Sequence, residues 1–286
     1  MGHPTEPMPP LTGIAATSLG VAWLRAAESD RADRLFDDPY ARRFVAAAAP
    51  SPPLPSAPSA SPDFYELMAG QVAVRTRFLD DALLRAAADH PRAQVVLLAC
   101  GMDARTFRLP WPTGTRVFEL DLAETLAFKN AVLTAQGAVA SCQRTTVAAD
   151  LREDWPTALA GAGWQLRLPT LWLAEGIWYA LAAEAADLLL QRITTLSAPG
   201  SLLAFDHNED SDLLRAARAA ISPELVALWR GGPSQEPGSW LLRHGWRPTV
   251  HDIAAVATQY GRPVPAPFRP GQRGRARGWL VTAQRG

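Results

Sequence analysis

The segment Gln94-Val95-Val96-Leu97-Leu98-Ala99-Cys100-Gly101-Met102-Asp103-Ala104-Arg105 decides the fold. Four apolar residues run into a turn at Gly101, and Asp103 follows two positions later. A short apolar run without polar alternation reads as a strand buried on both faces, the condition of a parallel sheet covered by helices. Val117-Phe118-Glu119-Leu120-Asp121 then repeats the plan and ends in acids. A glycine turn lets the backbone approach a ligand, and a carboxylate about 20 residues later, at the next strand end, can accept from both ribose hydroxyls. The two strand ends together predict a nucleoside site on an open α/β sheet.

Working outward, strands are expected at 94–99, 116–120, 145–149, 170–174 and 201–205, with helical segments at 103–108, 123–136, 153–160 and 183–196. This β-α-β-α rhythm predicts a doubly wound, mostly parallel sheet. In the tail, 239–244 reads as a helix end, and 246–250 and 278–283 as antiparallel strands. Upstream, Thr17 or Ser18 caps a first helix carrying Leu19, Val21, Trp23 and Leu24. Asp37-Asp38-Pro39 opens a second helix, and a third runs from Phe64 to about Asp89. Residues 46–62, almost all Ala, Pro and Ser, read as a mobile loop. The expectation is one domain over 1–286. Residues 1–90 form a helical cover, 91–286 an α/β core, and about 207–240 a substrate-side insert.

Composition narrows the function classes. The chain has 286 residues, 48% of them hydrophobic, enough for a sizeable core. Lys plus Arg equals Asp plus Glu at 28 each, which gives no sign of a nucleic-acid or acidic-membrane partner. Lys129 is the only lysine. Two cysteines, Cys100 and Cys142, make neither a disulfide framework nor a metal cluster. The histidines are scattered, so no metal is expected. No apolar run reaches about 18 residues, so no membrane span is expected. Met1-Gly2-His3-Pro4 opens without a secretory pattern, and the expected location is cytoplasmic.

The candidate site residues lie at strand ends. Gly101 and Asp103 form the first turn. Glu119 and Asp121 share one face of the second strand, with Leu120 on the other. Asp150 and Leu151 close the third. The carboxylate can accept from an adenine amine while Leu151 packs on the ring, or Asp150 can simply cap a helix. Glu175 follows Leu171-Trp172-Leu173-Ala174, where an acid needs a ligand or an arginine nearby. Arg75, in Arg75-Thr76-Arg77, can fork onto a carboxylate or pair with Asp80 and Asp81 along its helix. Tyr179 and His207 are the catalytic candidates, by position at the ligand edge of the sheet.

Taken together, these motifs resemble the leucine carboxyl methyltransferase family, in particular its bacterial S-adenosylmethionine-dependent O-methyltransferases linked to polyketide and other natural-product pathways. The resemblance spans about 15–283. It is carried by Thr17-Ser18-Leu19-Gly20-Val21, Leu35-Phe36-Asp37-Asp38-Pro39-Tyr40, Arg75-Thr76-Arg77-Phe78-Leu79-Asp80, Ala99 to Arg105, Phe118 to Asp121, Asp150-Leu151 and Trp172 to Gly176. It implies a class I methyltransferase fold of seven strands with an antiparallel C-terminal edge strand. It also implies S-adenosyl-L-methionine as cofactor, bound through Arg75, Gly101, Asp103, Glu119, Asp121, Asp150, Leu151 and Glu175. The acceptor would be a carboxylate or hydroxyl of a small molecule or peptide. Two positions depart from the family. Ala99 stands where glycine is usual, and Ala180 stands at the usual tyrosine position, with Tyr179 one place earlier. The second departure admits C- or N-methylation, cyclisation or non-catalytic binding at the same cofactor site. A nicotinamide dehydrogenase is disfavoured, because Ala99-x-Gly101-x-x-Ala104 lacks two of its three glycines.

Overall fold

Continuous apolar runs become the centre of the sheet. β1 (Gln94–Leu98) and β4 (Thr170–Ala174) are buried along their whole length and pair in parallel. The computed structural model describes residues 13–48, 62–219, 227–264, 268–271 and 275–286. Around the central pair stand β2 (Arg116–Asp121), β3 (Gln143–Ala148), β5 (Leu202–Asn208), β6 (Trp246–Asp252) and β7 (Gly278–Arg285), in the order β3-β2-β1-β4-β5-β7-β6. The first five strands are mutually parallel, and β7 runs antiparallel to both β5 and β6.

The expected reversed strand is therefore present, but it is not the edge. β7 carries buried Leu280, Val281 and Ala283 and lies inside the sheet. β6 takes the edge, where Pro248 can do without a backbone donor and Val250 is exposed.

Alternate strand residues feed two core layers. Val95, Leu97, Leu171 and Leu173 meet α3 (Pro62–Asp89) and a helix at Ile253–Gln259, which the sequence reading did not anticipate. Val96, Leu98, Trp172 and Ala174 meet α6 (Trp155–Gly161), α7 (Ala183–Thr195) and the helix at Pro237–Arg243. A helix at Asp212–Ala219 was likewise not anticipated.

The N-terminal cover differs from expectation at its start. α1 spans Gly13–Ser29, so Thr17 and Ser18 lie within the helix rather than capping it. α2 (Ala41–Ala47) begins as expected, with Asp38 Oδ1 accepting from the amides of Tyr40 at 3.1 Å and Ala41 at 3.0 Å. Of the expected 46–62 loop, residues 46 and 47 end α2, and 49–61 lie outside the described residues. Leu19 and Ala22 of α1 and Phe44 of α2 pack with Met102, just ahead of the short α4 (Arg105–Arg108), and with Phe128 of α5 (Ala123–Ala135).

The chain builds outward from β1 to β2 and β3, then crosses back to β4 and β5 on the other side. Ligands of open α/β sheets bind at such a reversal, outside the carboxyl ends of the strands. Here that is the crevice beyond β1 and β4.

Candidate functional site

Backbone geometry shapes the first wall. Just past β1, Ala99 has φ 46° and Gly101 φ 45°, both left-handed. The turn is held by Cys100 N–H donating to Leu120 O at 3.0 Å and Asp103 N–H to Cys100 O at 2.8 Å. Gly101 also has no room for a side chain, since a Cβ there would sit 2.6 Å from Ser18 Cβ. α1 thus lies directly on the turn.

Asp121, at the end of β2, locks onto the same turn. Its Oδ2 accepts from Gly101 N–H at 2.6 Å and its Oδ1 from Leu122 N–H at 2.8 Å. Burial pushes its pKa up, and these two amides pull against that. Each oxygen keeps a further lone pair for a hydroxyl donor.

The second wall is ionic. Glu175 follows β4, and its side chain is only 7% exposed. Arg25 Nη2 at 2.8 Å and Arg75 Nε at 2.9 Å both donate to Oε1, while Arg105 Nη1 donates to Oε2 at 2.6 Å. Burial alone would raise the Glu175 pKa, but Arg105, Arg25 and Arg75 together hold it well below the usual carboxylate range. Arg75 also reaches Asp206 Oδ2 at 3.1 Å, and Asp206 Oδ1 accepts from Gly176 N–H at 2.6 Å. Asp103 is turned inward onto Arg105, accepting from its amide at 2.7 Å and from its guanidinium. Asp80 supports Arg105 at 2.6 Å and Arg108 at 2.6 and 2.8 Å.

Both walls line one cavity, partly open to solvent. It is lined by the expected Arg75, Gly101, Asp103, Asp121, Glu175 and Tyr179, together with Ser18, Val21 and Arg25 of α1. Sequence reasoning missed Arg25 and Arg105. A polar residue seven positions after Ser18 and four after Val21, on one helix face, was the available signal for Arg25. Arg105 reaches Glu175 from 70 positions away, and nothing local announces that contact.

Four expected site residues do not line the cavity. Glu119 is fully buried beneath it, and its oxygens are taken up by Thr106 at 2.6 Å, Arg144 at 2.7 and 3.0 Å and Lys129 at 3.0 Å. Burial would raise its pKa, but Lys129 and Arg144 hold it low, so it is a structural carboxylate with no free face for a ligand. Asp150 is paired with Arg152, whose amide and Nε both donate to Oδ1 at 2.9 Å. Leu151 packs against the core layer of Trp155 and Trp172. His207 is buried between Trp279 and the chain at Gly232, where an added Cβ would meet its Cε1 at 2.5 Å. Burial pushes its pKa down to about 4. It faces neither wall.

Tyr179 stacks on Trp229 at 4.2 Å and 15°, and Arg230 N–H and Gly232 N–H tie that segment to Tyr179 O and Leu181 O at 2.7 and 2.9 Å. The Tyr179 hydroxyl and the Arg75 guanidinium both come within 3.7 Å of where a Gly176 Cβ would stand. Gly176 has φ 71°, so the backbone favours glycine there, while a Cβ would meet these atoms only at ordinary van der Waals distance. Among the described residues, no group of three or more His, Cys, Asp or Glu is arranged to hold a metal ion, and no helix is long and apolar enough to cross a membrane.

The chain is similar to known proteins in sequence and in fold. The leucine carboxyl methyltransferase family model matches residues 18–194. A Parafrankia sp. (strain EAN1pec) protein named "Putative S-adenosyl-L-methionine-dependent methyltransferase" is 47% identical, over 96% of this chain and 87% of its own length. A Streptomyces coelicolor protein of the same description is 44% identical, over 88% and 90%. The crystal structure of a "putative methyltransferase" from Thermobifida fusca superimposes with a TM-score of 0.53 at 16% identity, covering 96% of this chain and 94% of that one, a likeness of fold.

Proposed function

Because the chain belongs to the leucine carboxyl methyltransferase family, we propose that its cavity holds S-adenosylmethionine and that the enzyme transfers the methyl group to a carboxylate or hydroxyl of a small molecule or peptide. One observation carries this reading: two unlike ends share one cavity. The Gly101–Asp121 corner offers hydroxyl acceptors beside a bare backbone turn. The Arg75–Glu175 corner offers a cation and an anion side by side. A nucleoside joined to a zwitterionic amino acid needs both.

In this reading Asp121 accepts from the ribose diol, Arg75 takes the amino-acid carboxylate and Glu175 the ammonium. When bound, the cofactor supplies a methyl group already activated on sulfur, so the chain's own task is alignment and exclusion of water. α1, seated on Gly101, closes the site from above. Tyr179, braced by Trp229, presents its phenol near Gly176, where it can donate to an acceptor oxygen. No histidine or lysine lines the cavity among the described residues. A carboxylate is ionised at neutral pH and needs no base, which favours it over a hydroxyl as acceptor.

Calorimetric titration with S-adenosylhomocysteine, with NAD as control, tests the cofactor. Micromolar binding of the first alone is expected. Turnover with candidate carboxylic acids should then yield methyl esters, seen by mass and by their loss in mild alkali. An alkali-stable product would mean an ether, and hence a hydroxyl acceptor.

A further inference from the structure

We infer that Trp229 is a positioning residue: the segment 229–232 straps Tyr179 into one orientation, which sets the rate of methyl transfer to the acceptor and leaves cofactor binding alone. The inference rests on the reading of Tyr179 as a donor to the acceptor oxygen. The segment lies between the helices at Asp212–Ala219 and Pro237–Arg243.

Tyr179 sits on a single short turn, Trp178–Ala180, which fixes little beyond its own backbone. The strap supplies the rest. Arg230 N–H donates to Tyr179 O at 2.7 Å, and Gly232 N–H donates to Leu181 O at 2.9 Å. Trp229 then lays its indole on the phenol ring, 4.2 Å away and tilted by only 15°. Tyr179 lines the cavity and Trp229 does not, so the indole backs the ring from outside.

The strap itself is held in place. Gly231 and Gly232 have φ 99° and 76°, consecutive left-handed positions that favour glycine. A Cβ on Gly232 would stand 2.5 Å from His207 Cε1 and 3.1 Å from Trp178 O. The strap therefore rests on His207, which is buried and lies parallel to Trp279 at 5.8 Å and 6°. A buried histidine that faces neither wall of the cavity thus gains a task, as the floor of the strap.

A phenol that must meet an acceptor oxygen loses alignment when its ring can turn, and misalignment lowers the rate of in-line transfer. An aromatic stack favours one arrangement over others by about 3- to 10-fold. That is the size of effect expected on kcat.

The chain has four tyrosines, so 3-fluorotyrosine labelling makes each ring visible by fluorine NMR, with Tyr179→Phe assigning the line of interest. Trp229→Leu should remove the indole ring-current shift from that line alone. In the same variant, calorimetric S-adenosylhomocysteine affinity should stay at the wild-type value. With the acid selected by the turnover screen, kcat should fall about 3- to 10-fold and KM for S-adenosylmethionine should not change. Trp229→Phe keeps a ring in the stack and should recover most of the rate. Gly232→Ala, which lifts the strap off His207, should give the same split by another route. An unmoved Tyr179 line in Trp229→Leu would overturn the inference, and so would a wild-type kcat. Loss of S-adenosylhomocysteine affinity in step with kcat would overturn it in favour of a general support for the cavity. A wild-type protein that binds no S-adenosylhomocysteine, or methylates no acid, overturns the reading of the site and the positioning role with it. The Tyr179 line would then report a purely structural stack.

Discussion

Glu119 and Glu175 look alike in sequence and differ in the folded protein. Each is an acid beside a short apolar run, each side chain is at most 7% exposed, and each is met by basic groups from other elements. Glu119 sits within β2, two residues before its end, and Thr106, Lys129 and Arg144 close around it completely. Glu175 sits one residue past β4 and is held by three arginines, one of which keeps an unspent donor. Inside the strand, a charge is walled in and serves the fold. Beyond it, at the carboxyl edge, the same kind of charge faces a cavity. Position along the strand, by two or three residues, separates an enclosed charge from one that lines the cavity.

The largest expected effect falls on the closed side. Glu119→Gln should cost about 3–5 kcal/mol in denaturant unfolding, because Lys129 and Arg144 are left without their anion. The protein that remains folded should bind S-adenosylhomocysteine near wild type. Marked loss of that binding in folded protein would bring Glu119 back into the site and break the comparison. Asp121→Ala is the converse test. It should weaken S-adenosylhomocysteine about 100-fold or more through the lost acceptors, with a smaller effect on stability. Wild-type affinity in this variant would sink the ribose assignment.

How much of this was legible in the sequence follows the same line. β1 and β4 were readable because strands buried on both faces lose their polar alternation. Gly101, Asp121, Glu175 and Arg75 were readable because strand ends and a short basic motif are local features. The inner place of β7 was not, since pairing order is decided by tertiary contacts and Pro248 was the only local hint that β6 is the edge. Arg25 reaches Glu175 across 150 positions, a convergence that periodicity does not encode. His207 was placed by position alone, which does not reveal that Gly232 covers it, and neither position nor the resemblance that placed Asp150 reveals its pairing with Arg152.

His207 extends the comparison to a buried group whose Nδ1 has no hydrogen-bond partner. Its pKa is pushed from 6.5 down to about 4 by burial. Between those values the unfolded chain binds more protons than the folded one, so stability rises with pH across that window. The contribution is fully present above about pH 6.5 and is lost as pH falls toward 4, to an upper bound of about 3 kcal/mol. His207→Phe should flatten this part of the stability profile and leave S-adenosylhomocysteine binding unchanged. A turnover profile that lost a limb near neutral pH in this variant would instead restore His207 as a catalytic group.

The smallest expected effect tests the open side's backbone. Ala99 is the one non-glycine with positive φ among the described residues, and it lines the cavity. A left-handed alanine costs about 1–2 kcal/mol relative to its preferred regions. Glycine would remove that strain but lose about 0.5–1 kcal/mol more backbone entropy on folding. Ala99→Gly should therefore gain about 0.5–1 kcal/mol, a rise in Tm of about 1–3 °C. S-adenosylhomocysteine affinity should be equal or higher, because a methyl leaves the wall that meets the ligand. A lower Tm would mean that Cys100 N–H on Leu120 O and the packing of α1 on Gly101 already hold the turn without strain. The left-handed geometry would then belong to the folded turn itself, as the closed side's ion pairs do, rather than to a ligand that has yet to arrive.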